Sequence, residues 1–217
     1  MSAKSPQKVV SKNGSFYVSN LEGYHKHPRL NLWAREGCSY FLNDHGHKLA
    51  HEYSPARRAK SKGRGYRAPS VHRGTSKACH VVMGEIFYGE RKIFFDQNGK
   101  PYYGICHHLI EDPLNYCMEN LLCWLSRSEH SKADYRRRAL EKLVPDGNLN
   151  GFDYTILREL QDPRTMSDED FQSRLAYIQH MRYCSFDPRI FTAADFHHWF
   201  SMPFEEFKSF FEHYKND

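Results

Sequence analysis

YGICHHLIEDPLNYCMENLLCWLSRSEHSKADYRRR, residues 103–138, is the stretch on which the reading of this chain turns. It opens with adjacent histidines, His107 and His108, passes two asparagines, Asn115 and Asn120, and reaches a third histidine, His130. Imidazole ligates metals readily and titrates close to neutral pH, so such a set can serve metal binding and proton transfer together. Leu121 to Leu125 is a short apolar run suited to a strand. Ser126-x-x-Glu129 is a capping box, and the helix it opens runs on until Pro145 and Gly147 stop it. The predicted order is therefore strand, loop, strand, helix. On that helix Asp134 and Arg137 stand four and seven residues after His130 and share its face, while Arg136 and Arg138 splay to either side.

Upstream, Lys92 to His107 reads as a hairpin turning at Asn98-Gly99, a pair that tolerates positive φ. The hairpin delivers His107 and His108 to a strand end. Before it, the segment from Ala78 to Gly89 is a partly amphipathic helix that Thr75 or Ser76 could cap, with His80 as a packing or surface residue. Residues 57–77 hold eight Lys/Arg and no acid. Glycine and proline exclude a helix there, so the segment is an extended basic arm. It reads either as a solvated linker or as a phosphate-contacting arm, with Arg57, Arg58, Lys60, Lys62, Arg64, Arg67 and Arg73 as the candidate DNA contacts. Further back, Asn43-Asp44-His45-Gly46 signals a turn between two candidate strands. Residues 1–14 are polar and basic and read as disordered.

The chain of 217 residues carries a formal net charge of +5. Residues 1–100 hold 18 Lys+Arg against 7 Asp+Glu, while residues 101–217 hold 13 against 19. The first half suits a polyanion and the second does not. No apolar run reaches the ~18 residues of a membrane-spanning helix. The N-terminus lacks the apolar core of a signal peptide, so the expected location is the cytosol. Six scattered cysteines show no C-x-x-C pair and read as buried thiols. After Gly151 come helical segments: one ending before Pro163, one opening at Ser167, one capped by Thr192 and one opening at Pro203. Phe204, Phe207, Phe210 and Phe211 recur at helical spacing there. His197 and His198 lie in this acidic tail without a following Asn or His, and read as structural.

The residues His107-His108, Asn120 and His130 resemble the HNH, or ββα-metal, nuclease motif, most closely that of phage and mobile-element proteins. The 12 positions from His108 to Asn120 are a familiar spacing of that family, and the likeness covers roughly residues 70–140. It implies an α+β fold with a ββα-metal core. A basic N-terminal region over 1–68 carries a small β-hairpin, the nuclease core spans 69–147, and an acidic helical extension spans 148–217. It further implies hydrolysis of double-stranded DNA to 5′-phosphate and 3′-hydroxyl ends in a bacterial or phage-infected cell. His108 would be the general base, and Asn120 would brace the loop, with Asn115 as its understudy. One divalent metal would sit on His107 and His130: Mg2+ first, with Mn2+, Ni2+ or Zn2+ as alternatives. Many members carry a second histidine where this chain has Asp134, an oxygen donor that could serve as a ligand. Arg137 could hold a phosphate, and the C-terminal helices could meet a protein partner. Two other readings stand beside this one. One is a DNA-binding or structural phage protein that keeps the scaffold without cleaving. The other is a zinc-stabilised adaptor using His107, His130 and Cys106 or Cys123, against which the cysteine spacing speaks.

Overall fold

The computed structural model describes residues 8–10, 16–49, 51–52, 70–71, 77–112, 114–144, 147–184 and 209. Among them it is a mixed α+β protein with four α-helices and five two-stranded antiparallel sheets. None of these helices is long and apolar enough to cross a membrane. The chain divides into two compact units, residues 1–125 and 126–217. The division falls inside the stretch 69–147 that the sequence suggested as one core.

The first unit is organised around α1 (Cys79–Tyr88). Cys79, Val81, Val82, Met83, Gly84 and Glu85 are all buried, so this helix is a central element rather than an amphipathic surface one. Its N-cap is Ala78, which makes no side-chain cap, and it stops at Gly89 with φ 78°, a conformation glycine adopts freely. Thr75 and Ser76 lie outside the described residues. Around α1 pack Leu32, Ala34, Phe41, Cys106, Tyr116, Leu121, Cys123 and Trp124, with Phe41 stacked on Tyr116 at 5.6 Å.

Short strands precede the helix: β1 (Lys8–Val10) with β2 (Phe16–Val18), β3 (His25–Lys26) with β4 (Trp33–Ala34), and β5 (His51–Glu52) with β6 (Ser70–Val71). The expected turn at Asn43–Gly46 is present. The Asn43 side chain accepts from the backbone N–H groups of His45 and His47, and Gly46 has φ 76°. It joins isolated bridges, Leu42 to Lys48 and Tyr17 to His47, rather than two full strands. His27 is buried and ties this region to α1. Its Nδ1 accepts from the N–H groups of Arg29 and Leu30, so the proton sits on Nε2, which lies 2.9 Å from Glu85. Burial opposes ionisation of Glu85, but hydrogen bonds from Lys77 and His27 outweigh it and hold its carboxyl below the usual range.

After α1 come β7 (Ile93–Phe95) and β8 (Pro101–Tyr103), joined as a hairpin with Gly99 at φ 74°. The single long arm foreseen from Lys100 to His108 is broken at Gly104. A Cβ there would meet the Trp124 backbone at 3.0 Å, so the chain turns off the hairpin where glycine permits close approach. The histidines lie instead on a separate strand, β9 (Ile105–His108), which pairs with β10 (Leu121–Leu125).

The second unit begins with α2 (Arg127–Leu143), and both halves of the Ser126–Glu129 capping box are formed. α3 (Tyr154–Gln161) is capped by the Asp153 side chain, and Ser167 accepts from the Asp170 N–H where α4 (Asp168–Cys184) begins. α2 packs against both later helices. At the centre lies Arg136, fully buried. Its guanidinium donates to the carbonyls of Leu160, Asp162 and Met166 and to the Asp168 carboxylate, and sits 5.1 Å from the Phe171 ring. A residue read from sequence as splaying off the helix face is thus the unit's main polar anchor. Thr192, His197, His198 and the phenylalanines at 204, 207, 210 and 211 lie outside the described residues.

Candidate functional site

In the first unit the site grows from β9 and β10. His107 is in register with Leu122 and His108 with Leu121, and both histidines are buried. Consecutive residues of a strand point to opposite faces, so the two imidazoles serve different surroundings. Between Leu122 and Leu125 the register shifts, and Trp124 takes φ 58° there, the only positive φ of a non-glycine residue among those described. Gly84 and Gly104 leave the room that this conformation needs: a Cβ on either would crowd the Trp124 side chain or backbone.

The loop from Leu109 to Asn120 is closed by Asn120, which is fully buried. Its Oδ1 accepts from the Ile110 N–H at 2.8 Å. Its Nδ2 donates to the carbonyls of Ile110 at 3.2 Å and Asn115 at 2.7 Å. Its own backbone carbonyl receives the Leu109 N–H at 2.9 Å, one residue beyond His108. Asn115 contributes chiefly through that carbonyl, while its side-chain oxygen accepts from Ser39 and Cys117. Ser39 in turn accepts the Cys117 N–H. The loop is therefore fixed from within by Asn120 and from outside by Ser39.

Two neighbours escaped the sequence reading. His80 on α1 meets His108 edge to face, with ring centroids 5.0 Å apart. Burial, with the nearby Arg91 charge, pushes the His80 pKa down to about 4, so this ring is neutral beside His108 at physiological pH. Cys106 and Cys123 bring their sulfurs to 3.1 Å across the strand pair. Neither relationship is visible as a spacing, because one joins a helix to a strand and the other depends on the register in which β9 and β10 pair, Cys106 and Cys123 following His107–Leu122 along it. Cys79, also buried, has its thiol pushed up to about 12 by burial and is inert as a nucleophile.

The remaining candidates belong to the second unit. His130 sits in the first turns of α2, where its N–H donates to the Ser126 carbonyl. Burial lowers its pKa; Asp134 opposes the shift and Arg137 adds to it. Both carboxylate oxygens of Asp134 are engaged, one by Arg137 at 2.8 Å and the other by Arg138 at 2.6 Å. Arg137 is buried and also pairs with Glu141, so its guanidinium is turned to carboxylates of its own helix. Arg57, Arg58, Lys60, Lys62, Arg64, Arg67 and Arg73 lie outside the described residues. Among the described residues no three of His, Cys, Asp or Glu gather as a group that could hold a metal ion.

No protein-family profile matches the chain, and neither a curated protein nor a solved structure does.

Proposed function

We propose that this chain is a metal-dependent endonuclease of the HNH type that hydrolyses phosphodiester bonds in DNA, with His108 as general base. The observation that supports this reading best is the clamp made by Asn120. Its side chain closes the loop leaving His108 at three points, so the strand that carries the histidine pair is held against β10. The residue after β10, Ser126, then caps the helix that bears His130. Strand, braced loop, strand and capped helix is the order that the motif requires.

In the proposed reaction His108 takes a proton from water as its oxygen attacks phosphorus. The P–O3′ bond breaks, the 3′ oxygen acquires a proton from solvent, and the 5′ phosphate stays on the other strand end. His80, neutral and edge-on, limits the rotation of the His108 ring without placing a competing charge beside it. His107 and His130 are the side chains proposed to hold the divalent ion, which would stabilise the developing charge on phosphate when bound. Two imidazoles would suit a divalent first-row ion. Asp134 pairs with Arg137 and Arg138, so as a third ligand it would share or exchange those partners.

The test is relaxation of supercoiled plasmid by the full chain with Mg2+ or Mn2+, beside an EDTA control and His108→Ala. General-base loss should slow cleavage by ~10²-fold or more. Equal cleavage by His108→Ala would sink His108 as the base. Absence of wild-type cleavage with salt-sensitive DNA binding would favour a binding protein on the same scaffold.

A further inference from the structure

The β7–β8 hairpin pairs with no other strand among the described residues, and one of its faces is apolar and open. Ile93, Phe95 and Tyr103 are 57%, 66% and 60% exposed, three of the six large hydrophobics exposed among the described residues. They stand in register, Ile93 opposite Tyr103 and Phe95 opposite Pro101. The other face is occupied by Phe94 and Tyr102, stacked on each other at 5.7 Å. Isolated exposed apolar residues need no explanation, but a continuous stripe on one hairpin does.

The charges around that stripe select its partner. Residues 91–103 carry three cations, Arg91, Lys92 and Lys100, and one acid, Asp96. The acid is engaged by its own turn, its Oδ1 accepting the N–H groups of Asn98 and Lys100. Arg91 is fixed by two hydrogen bonds to the Gly104 carbonyl and lies 5.1 Å from the Tyr103 ring. Lys92 and Lys100 are exposed, and neither is in an ion pair among the described residues. Beside the hairpin a cavity of about 400 Å³ is lined by Arg91, Ile93 and Tyr103 together with Arg29 and Lys77. Within it Glu85 pairs with His27 and Lys77 and Glu90 pairs with Arg29, so these charges offset one another and Arg91 supplies the net positive charge of the lining. Lysine is depleted at protein–protein interfaces, whereas flat rings set among cations are the means by which proteins hold unpaired bases and their phosphates.

We infer that the face formed by Phe95, Tyr103, Arg91, Lys92 and Lys100 is a binding surface for a DNA strand with unpaired bases. The rings take bases or sugars by stacking, the lysines take phosphates, and the adjoining cavity has room for one nucleotide unit. The inference depends on the proposed nuclease reading only in naming DNA as the nucleic acid.

Binding of the full chain to fluorescein-labelled oligothymidylate and to a duplex, followed by anisotropy in EDTA, tests this without cleavage. Phe95→Ala/Tyr103→Ala should weaken oligothymidylate binding ~10-fold or more and duplex binding less. Lys92→Ala/Lys100→Ala should reduce the slope of log K against log salt by ~1.4. Unchanged affinity and slope in the two variants overturns the inference, as does absence of wild-type binding to oligothymidylate. A lowered unfolding midpoint in the aromatic variant with DNA affinity intact would show that the face packs against the chain itself. Loss of self-association in sedimentation with DNA affinity intact would mark a protein interface; either result also overturns it. Hairpin-dependent binding without plasmid cleavage would leave this surface standing and remove the nuclease reading.

Discussion

Asn120 and Ile110 hold each other by two opposed hydrogen bonds, the Ile110 N–H to Oδ1 and Nδ2 to the Ile110 carbonyl. The amide thus acts as a strand partner for a residue that has none, and it does so with no access to water. Asn120→Ala removes the acceptor of the Ile110 N–H and a donor to the Asn115 carbonyl in the interior, while the Ile110 carbonyl keeps the Asp112 N–H. Each buried group that loses its partner costs ~1–3 kcal/mol, so a loss of ~2–5 kcal/mol is expected in urea unfolding. Asn120→Asp should be no better at neutral pH, because its carboxylate would face two carbonyl oxygens.

Arg136 should prove the most sensitive charged residue of the second unit. Arg136→Met takes the buried donor from the Leu160 and Met166 carbonyls, while the Asp162 carbonyl keeps the Thr165 and Met166 N–H groups and the exposed Asp168 keeps Lys132. A loss of ~2–5 kcal/mol is expected from the two buried carbonyls. Arg136→Lys should not rescue it, since a single ammonium cannot reach the carbonyls on both sides of the site. Arg138→Ala, on an exposed neighbour, should stay within ~0.5 kcal/mol in the same unfolding assay.

Acid should destabilise the first unit through His80. Its folded pKa, about 4, lies below the ordinary 6.5, so the unfolded chain binds the proton more readily. Stability is then full above pH 6.5 and falls progressively as pH drops from 6.5 towards 4. At ~1.36 kcal/mol per pH unit the loss approaches ~3 kcal/mol. Unfolding free energies measured across that window should show the slope in the wild type and a flatter profile in His80→Gln.

Gly84→Ala should destabilise even though alanine is the better helix former. The new methyl would stand 2.9 Å from both the Cys123 sulfur and the Trp124 ring. Overpacking of this kind costs ~1–3 kcal/mol, against a helix gain of ~0.5–1 kcal/mol. Thermal unfolding of the single variant measures the balance; an increased midpoint would mean that Trp124 can yield.

Much of the local architecture was legible because its signals act within a few residues. Ser126 and Glu129 announced the start of α2, Asn98-Gly99 the turn of the β7–β8 hairpin, and Gly89 the end of α1. Arg136 was misread because three consecutive arginines on a helix look solvated, and nothing local marks which one points inward. Its burial depends on where the carbonyls of Leu160, Asp162 and Met166 come to lie. The break at Gly104 was hidden for a similar reason, since it answers to Trp124, twenty residues further on.

The amino-acid sequence by itself determined the order strand, loop, strand, helix and the placing of His107, His108 and Asn120 within it. Capping, turn and alternation preferences are properties of neighbouring residues, and they survive without the rest of the fold. Only the tertiary structure decided that His80 meets His108, that Cys106 meets Cys123, and that Arg136 is buried. Those contacts follow from the pairing of β9 with β10 and from the packing inside each unit, around α1 in the first and around α2 in the second. There the position of one side chain is set by the volume and hydrogen-bonding needs of distant ones.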